Sequence, residues 1–173
     1  MNINMKKKLI VTSLLAASVF ASAANAADGT FNITGSIAAT PCTVVNTTSA
    51  VNMGIVDKDK IDKNSMQPIE LKIELANCPS AATEAFVTFL GTASGDNLAL
   101  TPKGQTGFAG VDLALFEPNG TTAIKINKRS APVSLTGGAA TVIYKAKLAK
   151  KATAADIKEG DFTTTLEFDI ANN

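Results

Sequence analysis

Histidine and tryptophan are absent from this chain of 173 residues, which also has a single tyrosine and two cysteines. Histidine is the commonest general base and a frequent metal ligand, so its absence argues against most catalytic and metal-dependent mechanisms. The sequence also lacks the Gly-x-Ser-x-Gly and Ser-x-x-Lys motifs and any phosphate-binding loop. We therefore expect a protein that is not an enzyme, with no catalytic residues, no cofactor and no metal ion.

Positive and negative side chains are nearly equal in number. Sixteen lysines and arginines face fifteen aspartates and glutamates, which gives no reason to expect nucleic acid as a partner. Apolar runs are also scarce, and the one long run, at residues 9–23, follows three lysines and precedes an Ala-Asn-Ala sequence at residues 24–26. This arrangement predicts a signal peptide at residues 1–26. The alternative is an uncleaved anchor, for which the apolar run is short.

The two cysteines lie in the part of the chain that follows this peptide. A chain bound for an oxidising compartment is expected to pair its cysteines, so we predict the disulfide Cys42–Cys78. It closes a loop of 37 residues. A metal or redox role is not indicated, because the sequence has neither a histidine nor a Cys-x-x-Cys motif to accompany the pair.

Residues 27–40, just before Cys42, alternate apolar and polar side chains. Since strand side chains alternate between two faces, one face carries Phe31, Ile33, Ile37 and Ala39, with Gly35 among them. A terminal segment is usually frayed and polar, so an apolar strand at this place must dock somewhere. It docks either on its own domain or on another molecule.

Most of the remaining chain reads as strands separated by turns. The predicted strands are residues 69–76, 85–90, 111–116, 123–126, 132–135, 140–150 and 162–170. Helix is scarce: residues 153–159 are predicted to form one helical turn, and residues 57–64 a charged, solvated loop whose acidic spacing only weakly resembles a calcium site. Many short strands with one disulfide favour an antiparallel β-sandwich of the immunoglobulin type.

Several motifs follow one another in a fixed order. They are Phe31-x-Ile33-x-Gly35-x-Ile37, Cys42-x-Val44, Val51-x-Met53-Gly54-x-Val56, the strand that ends at Cys78, Val87-Thr-Phe-Leu-Gly91, Val111-x-Leu113-x-Leu115 and Asn119-Gly120. Together with the signal peptide and the two cysteines, this set resembles the chaperone–usher pilins, similar to the major subunits of type 1 fimbriae. The chain departs from that family at its end, where Asn172 stands in place of the usual penultimate tyrosine.

The resemblance implies an all-β fold, an incomplete immunoglobulin-like sandwich that a donor strand from another subunit completes. By this match, residues 27–40 are an N-terminal extension that supplies the donor strand through Phe31, Ile33, Gly35, Ile37 and Ala39, and residues 41–173 are the pilin domain. The resemblance places Val44, Leu166, Phe168 and Ile170 in the acceptor groove, where a chaperone would also make contact. For these four, ordinary core residues are an equally good interpretation.

The implied partners are a periplasmic pilus chaperone, an outer-membrane usher and neighbouring subunits in a head-to-tail polymer. The implied function is to form the shaft of a fimbria used in cell adhesion, after export through the periplasm to the cell surface. Two alternatives stay open, a minor or adaptor pilin of the same system and a secreted carbohydrate-binding β-sandwich. Exposed aromatic side chains would favour the second alternative, and the sequence has few aromatic residues.

Overall fold

A computed structural model describes residues 34, 40–47, 50–104 and 107–173. The predicted signal peptide and the five predicted donor-strand residues, Phe31, Ile33, Gly35, Ile37 and Ala39, lie outside the described residues. The boundaries at residues 26 and 40 therefore stay predictions. From Thr40 onward, the described residues belong to one compact unit.

Within these ranges the chain forms twelve strands and one short helix. In chain order they are β1 (Thr43–Thr47), α1 (Lys58–Asp62), β2 (Ile69–Ala76), β3 (Glu84–Leu90), β4 (Ala93–Ser94), β5 (Asn97–Ala99), β6 (Thr101–Pro102), β7 (Val111–Phe116), β8 (Ala123–Ile124), β9 (Val133–Ser134), β10 (Ala140–Lys150), β11 (Phe162–Thr163) and β12 (Glu167–Asn172). In the part of the chain that is described, no helix has the length and apolar character needed to cross a membrane.

The strands form two main sheets in which neighbours run antiparallel. The larger sheet has the order β1-β2-β10-β7-β5-β4, with β8 added beside β7. The second sheet has the order β12-β3-β9, and β11 pairs separately with β6. The large sheet therefore ends at β1 and the small one at β12, so the first and the last strand of the described residues are both edge strands.

The core lies between the two sheets, where the apolar faces of alternating strands meet. In β2, Ile73 and Leu75 are buried while Glu74 between them faces outward. Tyr144 of β10 is fully buried and packs its ring edge against Phe89 of β3, with the ring centroids 4.9 Å apart. This contact joins the two sheets at the centre of the molecule.

A buried polar group lies beside that aromatic pair. The Ser130 hydroxyl accepts a hydrogen bond from the backbone N–H of Val87 at 3.1 Å and donates one to the carbonyl of Ala131 at 2.9 Å. The Tyr144 hydroxyl lies 3.3 Å from the same oxygen, and because the serine proton is already used, the tyrosine must donate. The carboxylate of Glu117 accepts from the Ala131 N–H at 2.7 Å. The polar atoms of this group thus have hydrogen-bond partners within the protein.

The predicted all-β sandwich is confirmed, and the strands at 69–76, 111–116 and 140–150 have the predicted bounds. The predicted strand at 162–170 is wrong as one element, because β11 pairs with β6 while β12 pairs with β3. The predicted helical turn at 153–159 is not formed, and the one helix among the described residues lies at 58–62, inside the predicted loop. The Asp57 side chain caps that helix by accepting the N–H of Asp59 at 2.9 Å.

Candidate functional site

An open cavity of about 1100 Å³ lies against the core, between the large sheet and two segments that flank the cavity. It exceeds the roughly 300–1,000 Å³ that is usual for small-molecule pockets. Its floor is apolar and comes from strands of both sheets. The floor residues are Ile69, Leu71, Ile73, Phe89, Leu100, Val111, Leu113 and Leu148. The shape and the lining suit an extended apolar chain better than a compact ligand.

One side of this groove is formed by residues 51–61, which we call the first lip. Gly54 adopts a positive φ of 61°, and its N–H donates to the Asn52 side chain at 2.9 Å, which makes a tight turn. The turn leaves Ile55 fully exposed, while Met53 and Val56 pack against the core. Helix α1 follows and buries Ile61, so the lip ends in a segment that is fixed to the core.

The other side is formed by residues 157–168, the second lip. Its backbone is held by reciprocal hydrogen bonds between Lys158 and Ala109, at 3.0 and 3.3 Å, and by the Lys103 N–H, which donates to the carbonyl of Asp161 at 2.9 Å. Phe162 packs against Phe108 with centroids 5.1 Å apart. These contacts keep the second lip in place although it contains little regular structure.

Charged side chains line the groove in equal numbers. Four are lysines and four are carboxylates: Lys58, Lys72, Lys103 and Lys158, with Asp57, Asp59, Glu159 and Asp161. The Lys58 ammonium lies 2.9 Å from the Glu159 carboxylate and so joins the two lips. That hydrogen bond and the charge of Glu159 raise the pKa of Lys58. On average the groove attracts neither a positive nor a negative ligand.

Strand β12 lies next to this groove and has a free side. It pairs with β3 along its length, from Glu167 opposite Leu90 to Asn172 opposite Ala85. Its other edge has no strand partner among the described residues. An unpaired edge presents a row of backbone N–H and C=O groups that an added strand can bind. The site can therefore offer hydrogen bonds from β12 and an apolar floor to the same extended segment.

The four predicted groove residues fall into two pairs. Leu166 and Phe168 line the groove, and Phe168 also packs against Phe89 at a centroid distance of 6.5 Å. Val44 lies in the edge strand β1 opposite Leu75, with 37% of its surface exposed, and Ile170 lies in β12 opposite Val87. Neither Val44 nor Ile170 is part of the groove lining.

Apart from Leu166 and Phe168, no residue of either lip was predicted from the sequence to belong to this site. The Val51-x-Met53-Gly54-x-Val56 motif was visible as a motif, and the structure places it along the first lip. Helix α1 and the Phe108–Phe162 contact had no sequence signal as site elements, because they depend on segments far apart in the chain. Across the described ranges, no three His, Cys, Asp or Glu side chains are grouped so that they could hold a metal ion.

The predicted disulfide between Cys42 and Cys78 is confirmed. Both cysteines are buried, and they join the residue before β1 to the turn that follows β2. The N–H of Cys78 also donates to the carbonyl of Gly138 at 3.0 Å, just before β10. The bridge therefore fixes the start of β1 against the turn that follows β2.

No protein-family model matches the chain. The chain is 30% identical to the Fimbria A protein of Serratia marcescens over 185 residues, covering 95% of this chain and 97% of that protein. It is also 30% identical to the laminin-binding fimbrial subunit ElfA of Escherichia coli O157:H7, over 80% of this chain and 86% of that subunit.

Solved structures show the same fold. The P pilus rod subunit PapA superposes with a TM-score of 0.63 at 18% identity, covering 78% of this chain and all of that structure. A type I fimbria protein of Burkholderia pseudomallei superposes with a TM-score of 0.51 at 28% identity, covering 83% of this chain and 97% of that structure. Both superpositions span nearly the whole of the solved chains, so the similarity extends over the whole domain and is not limited to one sheet.

Proposed function

The chain belongs to the family of fimbrial subunits, and we propose on this premise that it builds a fibre shaft by placing its residues 27–40 in the groove of a second copy. It is a structural pilin, exported to the cell surface, where it assembles with other pilin subunits into a fimbrium. The strand exchange, the shaft position and a purely structural role without catalysis are the parts that we propose.

The observation that carries the proposal is the groove beside the free edge of β12. An apolar groove and an unpaired strand edge at one place are costly to leave in water and prone to aggregation. A strand that has one apolar face satisfies both at once, because its backbone pairs with β12 while alternate side chains enter the groove. Residues 27–40 have this pattern, with Phe31, Ile33, Ile37 and Ala39 on one face.

The groove also matches this segment in charge. Asp28 is the only ionisable side chain in residues 27–40, and the charges that line the groove balance. Burial of each large apolar side chain of the donor contributes about 1.5–3 kcal/mol as an upper bound. Phe31, Ile33 and Ile37 together therefore supply several kcal/mol, to which the hydrogen bonds along β12 add.

Donation in this way leads to a polymer. A contact between the extension of one copy and the groove of the next uses two different surfaces, so it is heterologous and propagates into a filament. We propose that a periplasmic chaperone covers the groove before assembly and that an outer-membrane usher supports the exchange. The exposed groove supports the need for such protection, since an unassembled subunit would aggregate.

The exposed side chains favour this role over carbohydrate binding. Carbohydrate sites are usually built on exposed aromatic rings, whereas Tyr144 is fully buried. The large hydrophobic side chains that are exposed in the described ranges are Val44, Val45, Val51, Ile55 and Ile143. An adaptor position in the fibre remains an alternative to the shaft, and electron microscopy of cells that lack this protein separates the two. Loss of the bulk of the surface fibres supports the shaft, and loss of only a few does not.

The test of donation uses the two faces of the extension. Ile33→Asp puts a charge on the face that is expected to enter the groove, and Thr34→Asp puts the same charge on the opposite face. We expect Ile33→Asp to abolish fibres in electron micrographs and Thr34→Asp to retain most of them, at equal amounts of exported protein. Equal fibre formation by both variants would contradict the proposal.

A further inference from the structure

The ion pair between Lys58 and Glu159 crosses the mouth of the groove. The two side chains come from opposite lips, and both line the cavity. The exposed fractions are 53% for the Lys58 side chain and 77% for that of Glu159, so the pair lies at the solvent side of the cavity and not at its floor. A strand that enters from solvent between the lips meets this pair before it reaches the apolar floor.

Each lip is held in place by contacts that do not involve this pair. The first lip is fixed by the buried Ile61 and by the ion pair of Asp62 with Lys150 of β10, at 2.7 Å. The second lip is fixed by the backbone hydrogen bonds of Lys158 with Ala109. The lips can therefore keep their positions when the link between Lys58 and Glu159 opens.

We propose that Lys58 and Glu159 form a latch that an incoming donor strand must open, so that this pair slows strand uptake. This inference rests on the proposed function. The apolar part of the donor offers neither side chain a replacement partner, because Asp28 is the only ionisable side chain in residues 27–40 and it precedes the stretch from Phe31 to Ala39. When the strand enters, the ion pair must break and both side chains must move into water. The free energy needed to break the pair then becomes part of the barrier to strand entry.

The effect is expected to be modest, because exposed ion pairs are weak and are screened by salt. Glu159→Gln or Lys58→Gln should raise the rate of strand uptake about two- to fivefold at low salt. Higher salt should accelerate uptake by the unmodified chain more than by either variant. The double charge reversal Lys58→Glu with Glu159→Lys should return the rate towards that of the unmodified chain.

The measurement uses the full-length subunit, diluted until light scattering shows no aggregation, and a peptide of residues 29–40 with blocked ends and an uncharged fluorophore, so that the peptide carries no charge. Uptake is followed by fluorescence anisotropy. The matched control is Asp96→Asn, which breaks the ion pair of Asp96 with Lys125. That pair has a similar distance of 3.0 Å and similar exposure of 60% and 63%, and neither residue lines the groove. Asp96→Asn changes the net charge by the same amount as Glu159→Gln.

The outcomes separate the latch from the proposed function. Faster uptake by the Lys58 and Glu159 variants, with no change in the Asp96 variant, supports the latch. Uptake at one rate by all variants overturns the latch and leaves strand donation intact. Failure of the peptide to bind the unmodified subunit, or binding that Leu166→Glu in the groove leaves unchanged, overturns both.

Discussion

Removal of the Ser130 hydroxyl from the core should be costly. Its hydroxyl accepts the N–H of Val87 and the proton of Tyr144, and both donors belong to fully buried residues. Ser130→Ala leaves these two donors without a partner, and each buried orphan costs about 1–3 kcal/mol. We therefore expect Ser130→Ala to lower the free energy of unfolding by about 2–6 kcal/mol.

Tyr144→Phe provides the contrast, because it removes one of those donors together with its hydrogen bond. The Ser130 hydroxyl still receives the Val87 N–H and still donates to Ala131, so the group stays satisfied. The expected cost is only about 0.5–1.5 kcal/mol. In the double variant the tyrosine proton is gone and needs no acceptor. The loss of unfolding free energy in the double variant should therefore be smaller, by about 1 kcal/mol, than the sum of the losses in the two single variants.

Urea unfolding of the oxidised subunit, followed by circular dichroism, gives all three values from one series. The slopes of the transitions must agree among the variants for the comparison to hold. A Ser130→Ala variant that is no less stable than Tyr144→Phe would refute the reasoning, since it would show that the Val87 N–H and the tyrosine hydroxyl find other acceptors. Strict additivity in the double variant would refute the shared role of the serine oxygen.

Three further predictions concern stability. Burial raises the pKa of Tyr144 to about 12, so the folded state holds this proton more tightly than the unfolded state does. The free energy of unfolding should therefore fall between about pH 10 and pH 12, by at most about 1.4 kcal/mol per pH unit. In Tyr144→Phe, titrated under the same conditions, that part of the fall should be missing. Replacing both Cys42 and Cys78 by serine should lower stability by about 3–4 kcal/mol for a loop of this length, and unchanged urea midpoints would contradict it. Gly91→Ala should cost about 1–3 kcal/mol, because the new methyl group meets the buried side chain of Leu98, and calorimetry that finds no change would show that Leu98 can move aside.

The central strands were predictable because each has one wet and one buried face. In β2 the apolar residues Ile69, Leu71, Ile73 and Leu75 alternate with charged ones, and this pattern survives in the folded sheet. The break between β11 and β12 was not predictable from periodicity. Both halves keep a period of two, and the sequence does not show that one half pairs with β6 and the other with β3.

The two errors in helix placement have a local and a tertiary cause. Asp57 provides a good helix cap, but five helical residues are too few to show a helical period. The predicted helical turn at 153–159 does not form, because backbone hydrogen bonds tie Lys151, just before it, to Gly110 and Lys158, within it, to Ala109. Those partners lie more than forty residues away, so the competing structure is invisible in the local sequence.

The groove shows the same limit. The alternation of Leu166 and Phe168 predicts an apolar face, but it does not show whether a neighbouring strand of the same chain covers that face. The lips become visible only when residues 51–61 and 157–168 are brought to the same side of the large sheet. The disulfide was the easier prediction, since two cysteines in an exported chain leave one pairing.

The position of that disulfide has a mechanical consequence. In a fibre built by strand donation, a pulling force enters each subunit at Cys42, directly before β1. The covalent bridge passes the load to Cys78, just after the end of β2 that pairs with the start of β1, so β1 is not peeled from β2 one hydrogen bond at a time. We expect reduced fibres to lengthen at lower tension than oxidised ones in single-fibre stretching, because the pairing of β1 with β2 then carries the load and separates first.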